Sequence, residues 1–168
     1  MVLTGDRLRV ALFLKSKSNE TIKHLLINPG THDVAKAKRV SQEVLLSKEV
    51  PAEAHLDASS VMTSAPTRNL VFYSGADGSG IYAYNTMSQG NFPTTPLISL
   101  SKNDVVVDMV VDKDDHFLYI ALNSRLGSTA NIRQIDLTKD SYPIVHEWKD
   151  LRLPITAIAL REDYPIDN

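Results

Sequence analysis

Short apolar runs separated by clusters of turn-forming residues recur from the middle of the chain to its end. VVVDMVVD at 105–112 is β-branched and almost continuously apolar, as a buried strand is. KDDH follows, then FLYIALN at 117–123, SRLGST, and NIRQIDL at 131–137; PIVHEW at 143–148 comes after a Lys-Asp-Ser turn. Strand-forming runs alternating with turn residues predict four short strands. The region before reads in the same order: SSVMTSAP, TRN, LVFYSG at 70–75, ADGS, GIYAYNT at 80–86 and TPLISL at 95–100. Matching positions set the period, with 47 residues from Met62 to Met109, 48 from Leu70 to Leu118 and 49 from Met109 to Ile158.

Two partial units flank these. ITAIALRED at 155–163 aligns with VVDMVVDKD and reads as the first strand of a further unit. RLRVALFLKS and TIKHLLINPG read as a hairpin around KSNE, the second and third strands of an incomplete first unit, with SQEVLLSKE as its outer strand. The segment 31–50 also admits a helix capped by Thr31, given its Ala, Lys, Glu and Leu content. Loop followed by strand keeps the repeat and is preferred. A four-stranded repeat of about 40 to 50 residues is the signature of a β-propeller blade. The prediction is one all-β domain over 1–168, with an incomplete blade at 7–50, full blades at 57–101 and 104–150, and a first or closing strand at 153–163. Three blades fall short of the roughly four to eight that close a ring. The arc is therefore either part of a longer propeller or half of a ring formed by two copies. An open arc leaves apolar blade faces uncovered, and such patches mark interfaces.

Composition narrows the function classes. The 168 residues are 43% apolar and 23% charged, ordinary for a globular protein, with a formal net charge of −2. That balance argues against a nucleic-acid binder, which carries a basic face; AKAKR at 35–39, the densest cationic stretch, reads as solvated surface. The absence of cysteine excludes disulfides, zinc–thiolate sites and thiol nucleophiles; it leans towards a reducing compartment such as the cytoplasm, or a bacterial origin, without fixing the localisation. No apolar run approaches the roughly 20 residues of a membrane span. Charges at Asp6 and Arg7 precede any signal-peptide core.

The unit VVVDMVVDKDDHFLYIALNSRLGSTANIRQIDL resembles the blade of the lactonase, gluconolactonase, NHL and YWTD propellers. It has an apolar strand, an Asp-rich turn, an aromatic LY strand, a small-residue turn and a strand ending in DL. The likeness spans about 100 residues, mostly 57–163, and concerns blade architecture, which carries fold rather than function. No Trp-Asp dipeptide ends a strand, and FLYIA stands where a YWTD motif would sit. Resemblance to gluconolactonases implies a divalent cation held in a channel by Glu, Asp and Asn at strand ends, activating a water against an ester. Asp108, Asp112, Asn123 and Asp136 are the oxygen donors in such positions.

The residues themselves offer blander readings. DKDD at 112–115 lacks the Gly and distal Glu of an EF-hand loop and reads as a turn with Asp side chains on local amides. Asp108 interrupts an apolar strand, where a carboxylate needs a partner, and alternation places it with Val106 and Val110. It is either a buried partner for a neighbouring strand or a ligand or interface group. The five histidines (His24, His32, His55, His116 and His146) show no zinc-site spacing, and no G-x-S-x-G elbow occurs. Tyr82, Tyr84 and Trp148, with Tyr73 and Tyr119, offer a sugar- or peptide-binding surface, although blade aromatics also fill the space between blades. The glycines of YSGADGSGIYAY at 73–84 precede a strand rather than a helix. They read as hairpin geometry around Asp77-Gly78, not as a phosphate loop.

The expectation is a non-catalytic binding or assembly scaffold without catalytic residue, metal or cofactor. Its interface residues come from Asp108, Asn123, Asp136, Tyr82, Tyr84 and Trp148. Its partner is another protein, the remaining blades of a longer propeller, or a second copy, with no nucleic acid and no membrane. A metal-dependent lactonase-like hydrolase and a glycan-binding propeller are the alternatives.

Overall fold

A computed structural model describes residues 2–3, 10–15, 22–28, 32–33, 38–39 and 43–161. Strands β1 (Val2–Leu3), β2 (Val10–Lys15) and β3 (Ile22–Asn28) open the chain, followed by the short pair β4 (His32–Asp33) and β5 (Lys38–Arg39) and by β6 (Glu43–Glu49). The aromatic and β-branched middle forms β7 (Met62–Ala65), β8 (Leu70–Ser74), β9 (Gly80–Asn85) and β10 (Ile98–Ser99). The last set is β11 (Asp104–Val111), β12 (Phe117–Ser124), β13 (Ala130–Asp136) and β14 (Ile144–Leu151). The chain is all-β: three four-stranded antiparallel sheets ordered β1-β2-β3-β6, β7-β8-β9-β10 and β11-β12-β13-β14, with β4-β5 as a separate hairpin. Among the described residues no helix is long and apolar enough to cross a membrane.

Two expectations change, and one alternative falls away. The first sheet is not three-stranded, because Val2 and Leu3 pair with Ala11 and Val10 and supply its first strand. The helical reading of 31–50 does not hold where that segment is described: its Glu43–Glu49 part is a strand paired with β3, since Val44, Leu45 and Leu46 gain ladder and packing partners there. The segment 155–161 belongs to no ladder, because it lies across side chains of the third sheet rather than along a sheet edge.

Two cores hold the three sheets face to face, with the middle sheet lending one face to each. Alternation along β8 and β9 sends Phe72 and Ile81 one way, into a core with Met109, Leu118, Ile120 and Ile135 of the third sheet. It sends Val71, Tyr73, Tyr82 and Tyr84 the other way, against Phe13 and Leu46 of the first sheet. The close approach of β10 requires Gly80, where a side chain would overlap the Ile98 carbonyl. A polar clamp joins the second and third sheets at their edge. Asp115, 3% exposed and left-handed at φ 56°, accepts 2.6 Å hydrogen bonds from the Thr67 amide and hydroxyl. Its carbonyl accepts another from Arg68 Nε at 2.6 Å.

Candidate functional site

The outward face of the third sheet brings together three of the six singled-out residues, Asp108, Asn123 and Trp148. A β-bulge between Val106 and Asp108 decides the place of the first. Val106 pairs with Leu122 and Asp108 with Ala121, and adjacent partners face opposite sides. Asp108 therefore leaves the face of Val106 expected from alternation and joins Val110, Tyr119 and Asn123 on the outer one.

There Asp108 and Asn123 act as tethers. Asp108 Oδ1 accepts from its neighbour Met109 N at 2.9 Å, and Oδ2 accepts from Ile158 N at 2.9 Å. The Asn123 amide clamps Ile155 on both sides, accepting from its N–H and donating to its carbonyl, each at 2.9 Å. An amide side chain carries both the acceptor and the donor that this two-way pairing with a backbone peptide needs. These bonds seat residues 155–160 over the sheet. Together with Tyr119, Ile132, Trp148 and Leu151, that segment encloses an apolar groove of about 620 Å³. Trp148, 41% exposed, stacks with Tyr119 at 6.5 Å between ring centroids and meets His146 edge-on at 4.2 Å. Tyr119 is fixed in turn by Gln134, whose Nε2 donates to its hydroxyl at 3.0 Å.

Asp136 stands apart. It pairs with Phe117, whereas Asn123 pairs with Ala130 at the other end of β13; six residues of strand separate them by roughly 20 Å. Its Oδ1 accepts from the Thr138 hydroxyl and amide, which together hold the carboxyl below the usual range. Asp108, Asn123 and Asp136 thus do not converge on one point. Tyr82 and Tyr84 are buried in the core between the first and second sheets, Tyr82 stacked on Tyr73 at 5.3 Å and Tyr84 on Phe92 at 4.4 Å. Neither reaches the groove.

Two clusters have the composition of chemical sites without the geometry. Asp112, Asp114 and His116 each offer a donor atom within 4.8 Å of the others. However, Asp112 Oδ1 already closes the turn by accepting from the amides of His116 and Phe117 at 2.7 and 2.8 Å, and hard cations ask for about six oxygens. In the other, His55 Nδ1 lies 3.5 Å from Asp77 Oδ2, and Ser79 Oγ donates to Asp77 Oδ1 at 2.8 Å. Burial opposes ionisation of Asp77, yet the two Ser79 hydrogen bonds and His55 hold its carboxyl below the usual range. The order is Ser–Asp–His, with the acid in the middle, so His55 has no hydroxyl to activate as a triad base does.

Sequence reasoning missed Asp115 as the inter-sheet clamp, hidden beside two other acids of its turn, Asp112 and Asp114, and His24 as a core residue. His24 had a signal, since it alternates with Ile22 on one face of an apolar strand. Neither protein-family models nor curated proteins provide a match to the chain.

Proposed function

We propose that the chain is a three-blade β-propeller arc that serves as a non-catalytic assembly scaffold, taking a further β-sheet of a protein partner on the outer face of its third sheet. One observation carries this reading: that face presents Tyr119, Ile132, Trp148 and Leu151 around a groove, with residues 155–160 seated on it through Asp108 and Asn123. The ladder registers support it. Met62 pairs with Tyr73 and Met109 with Ile120, and Val71 pairs with Tyr84 and Leu118 with Ile135. Both methionines face the preceding sheet. Asn85 and Asp136 close equivalent turns, each accepting at 2.8 Å from the amide two residues on. Ile158 follows in the same series, in the place of the first strand of a next blade.

A blade face of this size needs cover, and the chemistry that covers it is a second apolar sheet face. The hydrolase alternative rests on Asp108, Asn123 and Asp136, which do not converge. Sedimentation velocity across a range of protein concentrations tests the version of this reading in which the partner is a second copy of the chain. The expected result is self-association that weakens when Trp148 is replaced by Glu, with the fold retained by circular dichroism. A monomer at every concentration that binds no apolar dye would overturn it.

A further inference from the structure

The glycine hairpin of the second sheet borders a separate cavity of about 180 Å³ at the cleft with the third sheet. Gly75, Gly78 and Gly80 line it from one side; Asp104 of β11 and Arg125 of the β12–β13 loop line it from the other. The glycines give room rather than hydrogen bonds. The amides of Gly75, Ala76, Gly78 and Ser79 are already spent on Gly80 O, His55 O, Gly75 O and Asp77 Oδ1. Polar recognition is left to the side chains.

Two of these are oppositely charged and poorly partnered. Among the described residues, neither oxygen of Asp104 accepts a hydrogen bond, although the side chain is only 14% exposed. Its Oδ2 is shielded from solvent and stands 3.5 Å from Arg133 Nη2, a long ion pair. Arg133 gives its short contact, 2.7 Å from Nε, to Glu147 instead. What exposure Asp104 keeps therefore lies away from Oδ2. A carboxylate so placed lacks the donors that buried acids normally have. Arg125 forms no ion pair among the described residues, and its Nη2 lies 3.9 Å from where a Gly78 side chain would begin.

We propose that this cavity binds a small zwitterion, a free α-amino acid, with its ammonium on Asp104 and its carboxylate on Arg125. An ammonium brings three donors to an acceptor-only group, and a guanidinium takes a carboxylate through two parallel hydrogen bonds. The volume equals that of about six waters, which limits the ligand to small side chains.

The test is an NMR titration of the full ¹⁵N-labelled chain with glycine, L-alanine and L-serine, and with acetate and ethylamine as single-charge controls. The expected result is saturable shifts confined to the amides of 75–80, 104–106 and 125, with both controls at least about tenfold weaker. Asp104→Asn and Arg125→Gln each abolish saturation. Because Arg125 is exposed, its variant keeps the wild-type melting temperature and decides the matter even if Asp104→Asn unfolds. The proposal is overturned if none of the three amino acids shifts these amides, if either control binds as tightly, or if Arg125→Gln titrates like wild type.

Discussion

His24 sits 1% exposed with neither ring nitrogen hydrogen-bonded, stacked on Phe13 at 4.9 Å and met edge-on by Tyr84 and Phe92 at 5.1 and 5.7 Å. Such a site accepts an imidazole only as a neutral ring, and burial lowers its pKa to about 4. Among the described residues nothing charged compensates: its ladder neighbour Lys48 gives its ammonium to the Gln89 carbonyl at 2.7 Å, and Tyr84 has its own ionisation opposed by burial. The sign follows. The unfolded chain takes up a proton on this residue at a higher pH than the folded one, so stability is complete above 6.5 and is lost as pH falls towards about 4. The gap corresponds to on the order of 3 kcal/mol. Asp77, Asp136 and Glu147, whose folded pKa values are lowered, lose their contributions in a more acidic window. Urea unfolding as a function of pH should therefore show a loss of stability beginning near 6.5 that disappears in His24→Phe, which keeps the ring stack without the proton. A variant with the wild-type pH profile would assign the loss elsewhere.

At the scale of elements, the 155–160 segment depends on three side-chain-to-backbone hydrogen bonds from two residues. An extended segment with no ladder has little else to hold its amides, so Asn123→Ala and Asp108→Ala should release it while the sheets persist. Hydrogen exchange is the measurement: the Ile155 amide should lose protection in the first variant and the Ile158 amide in the second, with Leu118 and Ile120 unaffected. Equal protection in both variants would mean that apolar contact alone seats the segment. The same stretch marks the limit of what the sequence makes legible. ITAIALRED has the residues of a strand, and VVVDMVV likewise, because β-branched content reports a fit to extended backbone. Whether a ladder partner stands beside it is a tertiary fact. The Val106/Asp108 bulge is illegible for a related reason: a continuous apolar run has no alternation to betray a slip in phase. The strand groupings were legible because turn residues separate them. The groove was only half so, with Trp148 and Tyr119 visible among the aromatics and Asp108 as a misfit in its strand, but Ile132 looking like any core residue.

On the scale of the whole molecule, the middle sheet couples everything. Phe72 and Tyr73 are neighbours in sequence, yet one belongs to the core with the third sheet and the other to the core with the first. Emptying either core displaces β8, which forms a wall of both. The buried Asp115–Thr67 clamp adds a polar tie across one of these interfaces, where charge-assisted bonds are stronger than neutral ones. The three sheets are therefore expected to unfold as one unit, as small single domains do. Phe72→Ala opens a cavity in the core shared with the third sheet and should cost about 3–5 kcal/mol. That cost should appear equally in Trp148 fluorescence, which reports the third sheet, and in exchange of the Leu25 amide, which reports the first. Trp148→Ala on the outer face should cost an isolated monomer far less. If Phe72→Ala lowers the Trp148 transition and leaves Leu25 protected as before, the sheets are separate cooperative units, and the middle one does not couple them.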